Sequence, residues 1–124
     1  MDTPETLAAA LLEAAAKAVA ETRVIVQVGA QHIKTEWRDN ALRSAPTQNA
    51  GAPYAITYDT TVGKTSVDAQ IGYDKNRPGG ALGNLLEFGG GGDHSPPHRD
   101  GGRALDNEAP RFEKAIDAMA SKLL

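Results

Sequence analysis

The residue types best able to do chemistry gather in one stretch, at Asp93, His94, His98 and Asp100. Two imidazoles four residues apart, with carboxylates beside them, could ligate zinc or another divalent ion. On a helix that spacing would align both rings. Ser95, Pro96 and Pro97 stand between them, however, and forbid a regular helix. A solvated loop is the favoured reading, because functional sites are held on rigid supports. A small metal-dependent enzyme using Asp93, His94 and His98 remains the alternative from another class.

Other chemistry is thinly supplied. The chain has no cysteine, hence no thiol nucleophile, disulfide or zinc-thiolate site. No Gly-x-Ser-x-Gly elbow occurs. Glycines 89–92 could offer backbone amides to a phosphate, but no Lys-Ser or Lys-Thr follows them. Glu87 beside Phe88 could be a buried acid, although a capping or exposed carboxylate is the commoner case. No catalytic residue, cofactor or metal site is therefore expected. A formal net charge of −3 argues against broad electrostatic binding of nucleic acid. A DNA-contacting module would rest on Arg99 and Arg103 alone.

The elements that would carry these residues are legible from periodicity. Thr3, Pro4 and Glu5 suit the capping position, first turn and positive dipole end of a helix. Leu7, Leu11, Ala15 and Val19 then form one stripe. Val24, Ile25, Val26 and Val28 are β-branched and could start a strand. Yet Val26, Ala30, Ile33, Trp37 and Ala41 recur at spacings of four, three, four and four, which predicts a helix to about Ser44, ended by Pro46. Trp37 reads first as core and second as interface. Tyr54, Ile56 and Tyr58, and then Val67, Ala69, Ile71 and Tyr73, alternate with polar residues, which predicts an antiparallel hairpin over 53–75.

Residues 79–102 hold nine of the 13 glycines and predict a Gly/Pro-rich loop around a short apolar segment, Leu82, Leu85 and Leu86. That loop is expected to become ordered against a partner. Leu105, Ala109, Phe112, Ile116, Met119 and Leu123 step as a heptad-like seam along a C-terminal helix over 103–124, with a kink or fresh start near Asn107 because of Pro110. The expected fold class is α+β: a small antiparallel sheet flanked by a long N-terminal helical region (1–45) and a C-terminal helix, in a single domain of 124 residues.

Composition adds a statement about assembly. Of the 40% hydrophobic residues, 21 are alanine, so the larger apolar side chains are few. A thin core gains from burying surface against neighbouring molecules. No run of 18 apolar residues exists, so no membrane span is expected. The N-terminal stretch carries Asp2, Glu5 and Glu13 without a basic region, so the expectation is synthesis in the cytoplasm without a secretory signal.

At GALGNLLEFG, followed by SPPHRDGGRALDNEAPRFEKAI, the chain resembles the head–tail joining or neck (tail-completion) proteins of long-tailed bacteriophages, in particular the actinobacteriophage branch. The matching motifs are Glu87-Phe88-Gly89 after the hairpin, Pro97-His98 in the loop, and Arg103-Ala104-Leu105 opening the last helix. The resemblance covers most of residues 24–124. It departs where hydrophobic residues usually follow proline–histidine, since Arg99 and Asp100 stand there instead. It implies a structural virion protein at the head–tail junction, without catalysis, forming a homo-oligomeric ring, often sixfold. Such a ring would lie between adjacent head-completion and tail proteins, with DNA only passing through its channel. A tail terminator capping the tube is the alternative within the class. The subunit-interface candidates it implies are Trp37, Leu86, Glu87, Phe88, Gly89, Pro97, His98, Arg99 and Arg103.

Overall fold

A single helix, α1 (Pro4–Ser44), takes up the first third of the chain in the computed structural model, which describes residues 4–44, 51–63, 66–88 and 98–123. At 1.5 Å per residue α1 is about 62 Å long. The β-branched residues Val24, Ile25, Val26 and Val28 are absorbed into it. Strand propensity is a weak preference, and the burial of one helical face overrides it. Val26, Ala30, Ile33, Trp37 and Ala41, the face read from the spacing, are all buried. The upstream stripe fares differently: Ala15 is exposed and Val19 half-buried, while the side chains of Leu7 and Leu11, like Thr3, lie outside the described residues.

After Gly51, which takes a left-handed φ of 81°, a 3-10 turn (Ala52–Ala55) leads into the hairpin β1 (Ile56–Val62) and β2 (Val67–Tyr73). The strands are antiparallel in the register Ile56↔Tyr73, Tyr58↔Ile71 and Thr60↔Ala69. Asp59, Asp68 and Gln70 face solvent, as the alternation requires. Tyr54 departs from the expected pattern, because it belongs to the 3-10 turn and points outward.

Two further helices complete the α+β fold, α2 (Gly80–Phe88) and α3 (Asp100–Leu123). The loop expected over 79–102 is thus largely helical at its two ends, and residues 89–97 lie outside the described set. Glycine costs a helix about 1 kcal/mol per residue, and tertiary context overrides so weak a preference here. Gly83 is also required: a Cβ there would overlap the ring of Tyr73.

α3 runs through Pro110 as one helix, so neither a break nor a new start occurs near Asn107. Pro110 and Asp106 are both exposed, so the missing hydrogen bond falls on the solvent side of the helix. α3 lies antiparallel along α1, with Gly101 against Trp37, Glu108 against His32, Phe112 against Gly29 and Met119 against Thr22. The expected seam is turned at its start. Leu105 is 55% exposed, and Ala104 and Glu108 take the buried positions. Gly101 and Ala104 are small enough to lie against the Trp37 indole, and this close approach sets the rotation of the helix.

The core is Ile33, Trp37, Ala41, Ile56 and Ala104, with Ile71 and Tyr73 packed on it. Trp37 meets Tyr73 edge to face, with ring centroids 5.3 Å apart. Burial pushes the Tyr73 phenol up to about 12, partly opposed by the nearby Trp37 N–H. The indole N–H and the phenol do not reach hydrogen-bond geometry, and both polar atoms are buried without a partner among the described residues.

Candidate functional site

Of the residues carrying the resemblance, Glu87, His98 and Arg103 converge where α2 ends and α3 begins. A helix C-terminus leaves carbonyls unpaired and a helix N-terminus leaves amides unpaired. Here the two ends satisfy each other. The His98 N–H donates to the Leu86 carbonyl (2.9 Å) and the Arg99 N–H to the Glu87 carbonyl (3.1 Å). The Glu87 carboxylate then accepts the Gly101 N–H at 2.9 Å and the Gly102 N–H at 3.0 Å. Glu87 is only 4% exposed, and the positive end of the α3 dipole favours its charge. It is therefore both a buried acid and a capping one. Arg99 sits at φ 54°, and Arg103 donates back to the His98 carbonyl at 3.0 Å.

A second carboxylate lies beside it. Asp100 is 1% exposed, accepts from the Ser44 hydroxyl at 2.8 Å, and is bound by the Arg103 guanidinium. Its backbone carbonyl accepts from the Asn40 amide at 3.1 Å, and the Asn40 oxygen accepts from Arg43 at 2.6 Å. The clamp is thereby locked to the end of α1.

Ser44, His98 and Asp100 bring together the residue types of a nucleophilic triad, but not its geometry. Ser44 (3.3 Å) and Asp100 (3.9 Å) both approach the same ring nitrogen, Nδ1 of His98, and Ser44 donates directly to Asp100. A relay needs the acid and the hydroxyl on opposite ring nitrogens. The metal reading gains nothing here either. Asp93 and His94 lie outside the described residues, and no group of three ligating side chains stands together among those described.

The candidate interface residues divide. Glu87, His98, Arg99 and Arg103 meet in the clamp, while Trp37 is buried in the core. Leu86 is half-buried, Phe88 is 71% exposed, and Gly89 and Pro97 lie outside the described residues. Ser44, Asn40 and Arg43 were not singled out in the sequence, because no local pattern links them to residues some 55 to 60 positions away. A second polar cluster was also missed. Buried Glu108 meets His32 Nδ1 at 2.9 Å, and Arg111 bridges it to Glu36. Its position four residues after Ala104 and four before Phe112, on the face turned to α1, was the available signal.

One surface is apolar and concave. A groove of about 300 Å³ runs between α1, β2 and α3, lined by Val26, Ile33, Ile71, Leu105 and Phe112 among others. It borders the outer edge of β2. The Asp74 N–H bonds the Ala55 carbonyl and the Gly63 N–H bonds the Ser66 carbonyl, so the hairpin's paired positions alternate from those ends. By that alternation the backbone groups of Val67, Ala69, Ile71 and Tyr73 point outward, and no other described element pairs with them. Among the described residues no helix is long and apolar enough to cross a membrane.

Comparison with protein-family models, with curated proteins and with solved structures gives no match to this chain.

Proposed function

We propose that the chain is a ring-forming structural protein of the head-to-tail connector of a long-tailed bacteriophage. In this reading it links head-completion proteins to the tail tube through protein contacts and without catalysis. The resemblance at Glu87–Gly89, Pro97–His98 and Arg103–Leu105 suggests the class. The observation that carries the reading is the sheet: two strands wide, open at the outer edge of β2, and flanked there by an apolar groove. A hairpin alone is marginal in water, and an added strand from a neighbouring subunit would satisfy its outward groups and cover the groove. When such a contact is heterologous and the rotation closes, it builds a ring.

The test is electron microscopy and native mass measurement of the purified chain, alone and mixed with its neighbouring connector proteins. Closed rings are expected. Ala69→Pro removes one outward N–H while leaving the hairpin ladder intact, and Val67→Lys places a charge on the same edge. Both are expected to abolish rings without loss of helical circular dichroism. A chain that stays monomeric with its neighbours present overturns the connector reading. Rings that both variants form normally overturn the role given to the β2 edge.

A further inference from the structure

The two edges of the hairpin differ in chemistry. The β2 edge borders the apolar groove, whereas the β1 edge borders a polar flank of α1. Gln27, Gln31, Lys34 and Arg38 recur there at helical spacings of four, three and four, with no acid among them. The nearby acids stand on the other side of α1: Glu36 is tied to Asn107 and Arg111 of α3, and Asp39 lies with His32 and Arg43. The Lys34 ammonium lies over the Tyr58 ring at 5.9 Å, and the Arg38 guanidinium over the Tyr54 ring at 5.5 Å. Arg38 is held further by its Nε, which donates to the Pro53 carbonyl at 3.1 Å. Both cations are half-buried, and among the described residues no carboxylate pairs with either.

Beside these cations runs an open strand edge. By the same alternation that exposes the β2 edge, the backbone groups of Tyr58, Thr60 and Val62 point away from β2, and no other described element pairs with them. A strand added there would place every second side chain on the face that Tyr58 turns toward α1. Side chains two residues apart on a strand are about 6.7 Å apart, and those four apart on a helix about 6 Å. Alternate residues of the added strand therefore keep step with Lys34 and Arg38. We propose that the β1 edge docks an extended segment of a partner protein carrying Asp or Glu at two alternate positions, one meeting Lys34 and the other Arg38.

The cations are already fixed over their rings, so little side-chain freedom is lost when a carboxylate arrives. Main-chain hydrogen bonds supply the affinity, and the two ion pairs select the sequence. A single-stranded nucleic acid would bring the same sign of charge, but it has no row of amides and carbonyls to extend the ladder. Its bases would also need open aromatic faces, and a cation covers one face of each tyrosine. One short strand buries little surface, so binding is weak, and it falls with salt because the cations are half in solvent. The site is separate from the β2 edge and does not depend on the ring contact proposed there.

The test is a nuclear magnetic resonance titration of the full chain at low salt. The probe is a peptide of alternating threonine and glutamate, about nine residues long so as to span β1. A dissociation constant below about 1 mM is expected, with amide shifts concentrated at Tyr58, Thr60 and Val62. A peptide of the same composition with its glutamates in one block is expected to bind more weakly. Lys34→Gln and Arg38→Gln are each expected to weaken binding about threefold, and together about tenfold, the scale of partly exposed ion pairs. Thr60→Pro removes one outward N–H and is expected to abolish binding, with the near-ultraviolet signal of Trp37 unchanged in every variant. No binding at about 1 mM peptide overturns the proposal. So does equal binding of the block peptide, or a double variant that binds as the wild type does. Oligothymidylate that shifts the same amides at lower concentration than the peptide also overturns it, in favour of nucleic acid. The connector reading turns on the β2 edge, so rings formed by the Lys34→Gln/Arg38→Gln variant leave that reading standing whatever the peptide does.

Discussion

Replacing Glu87 tests the clamp most directly. Its carboxylate accepts two backbone amides at 2.9 and 3.0 Å, one of them buried, and neither amide has a helical carbonyl to turn to. Hydrogen bonds to a charged acceptor contribute about 1.5–3 kcal/mol each, and the dipole contact up to about 1–2 kcal/mol more in a buried setting. These terms overlap, so Glu87→Ala is expected to cost about 3–5 kcal/mol. Glu87→Gln keeps the shape and one acceptor oxygen but turns an NH₂ toward the other amide, and is expected to cost about half as much. Urea unfolding followed by circular dichroism gives both values, and the larger one corresponds to a melting point lower by about 10–20 °C. A loss below about 1 kcal/mol for Glu87→Ala would refute the reasoning, because exposed caps already reach that figure.

Two further substitutions probe the core and α3. Tyr73 stays protonated in the folded chain up to about 12, whereas the unfolded chain releases this proton near 10. Its contribution is whole below pH 10 and is lost as pH rises through 12, by at most about 2.7 kcal/mol and by about 1 kcal/mol once solvent at the half-buried ring is allowed for. Tyr73→Phe removes a buried hydroxyl without a partner, so it is expected to match or slightly exceed the wild type at pH 8 and to lead it increasingly from pH 10 to 12. Parallel stability curves for the two proteins would contradict the account. Pro110→Ala restores a helical hydrogen bond on an exposed face and is expected to raise stability by about 1–3 kcal/mol in the same urea assay. A loss of stability would show that the proline fits a geometry α3 requires.

The resemblance implied a set of interface residues, and of these the structure brings Glu87, His98, Arg99 and Arg103 together, with roles that the motif does not announce. Glu87 turns inward to cap, Phe88 beside it turns outward, and Trp37 serves the core. The two buried carboxylates carry no relay and no metal cluster among the described residues. They hold three chain segments in one place, the ends of α1 and α2 and the start of α3.

Periodicity alone determined a good deal. The buried face from Val26 to Ala41, the alternation along β2 and the presence of a last helix all follow from side chains repeating with the pitch of their own element. A repeat reports which side is buried, whatever it is buried against. Tertiary structure decided what a repeat cannot carry. Packing of Gly101 and Ala104 on Trp37 turned α3 away from Leu105, and the partners of Glu87 and Asp100 arose across gaps of 14 and 56 residues. Such matters depend on distances between elements, and only a folded chain has those.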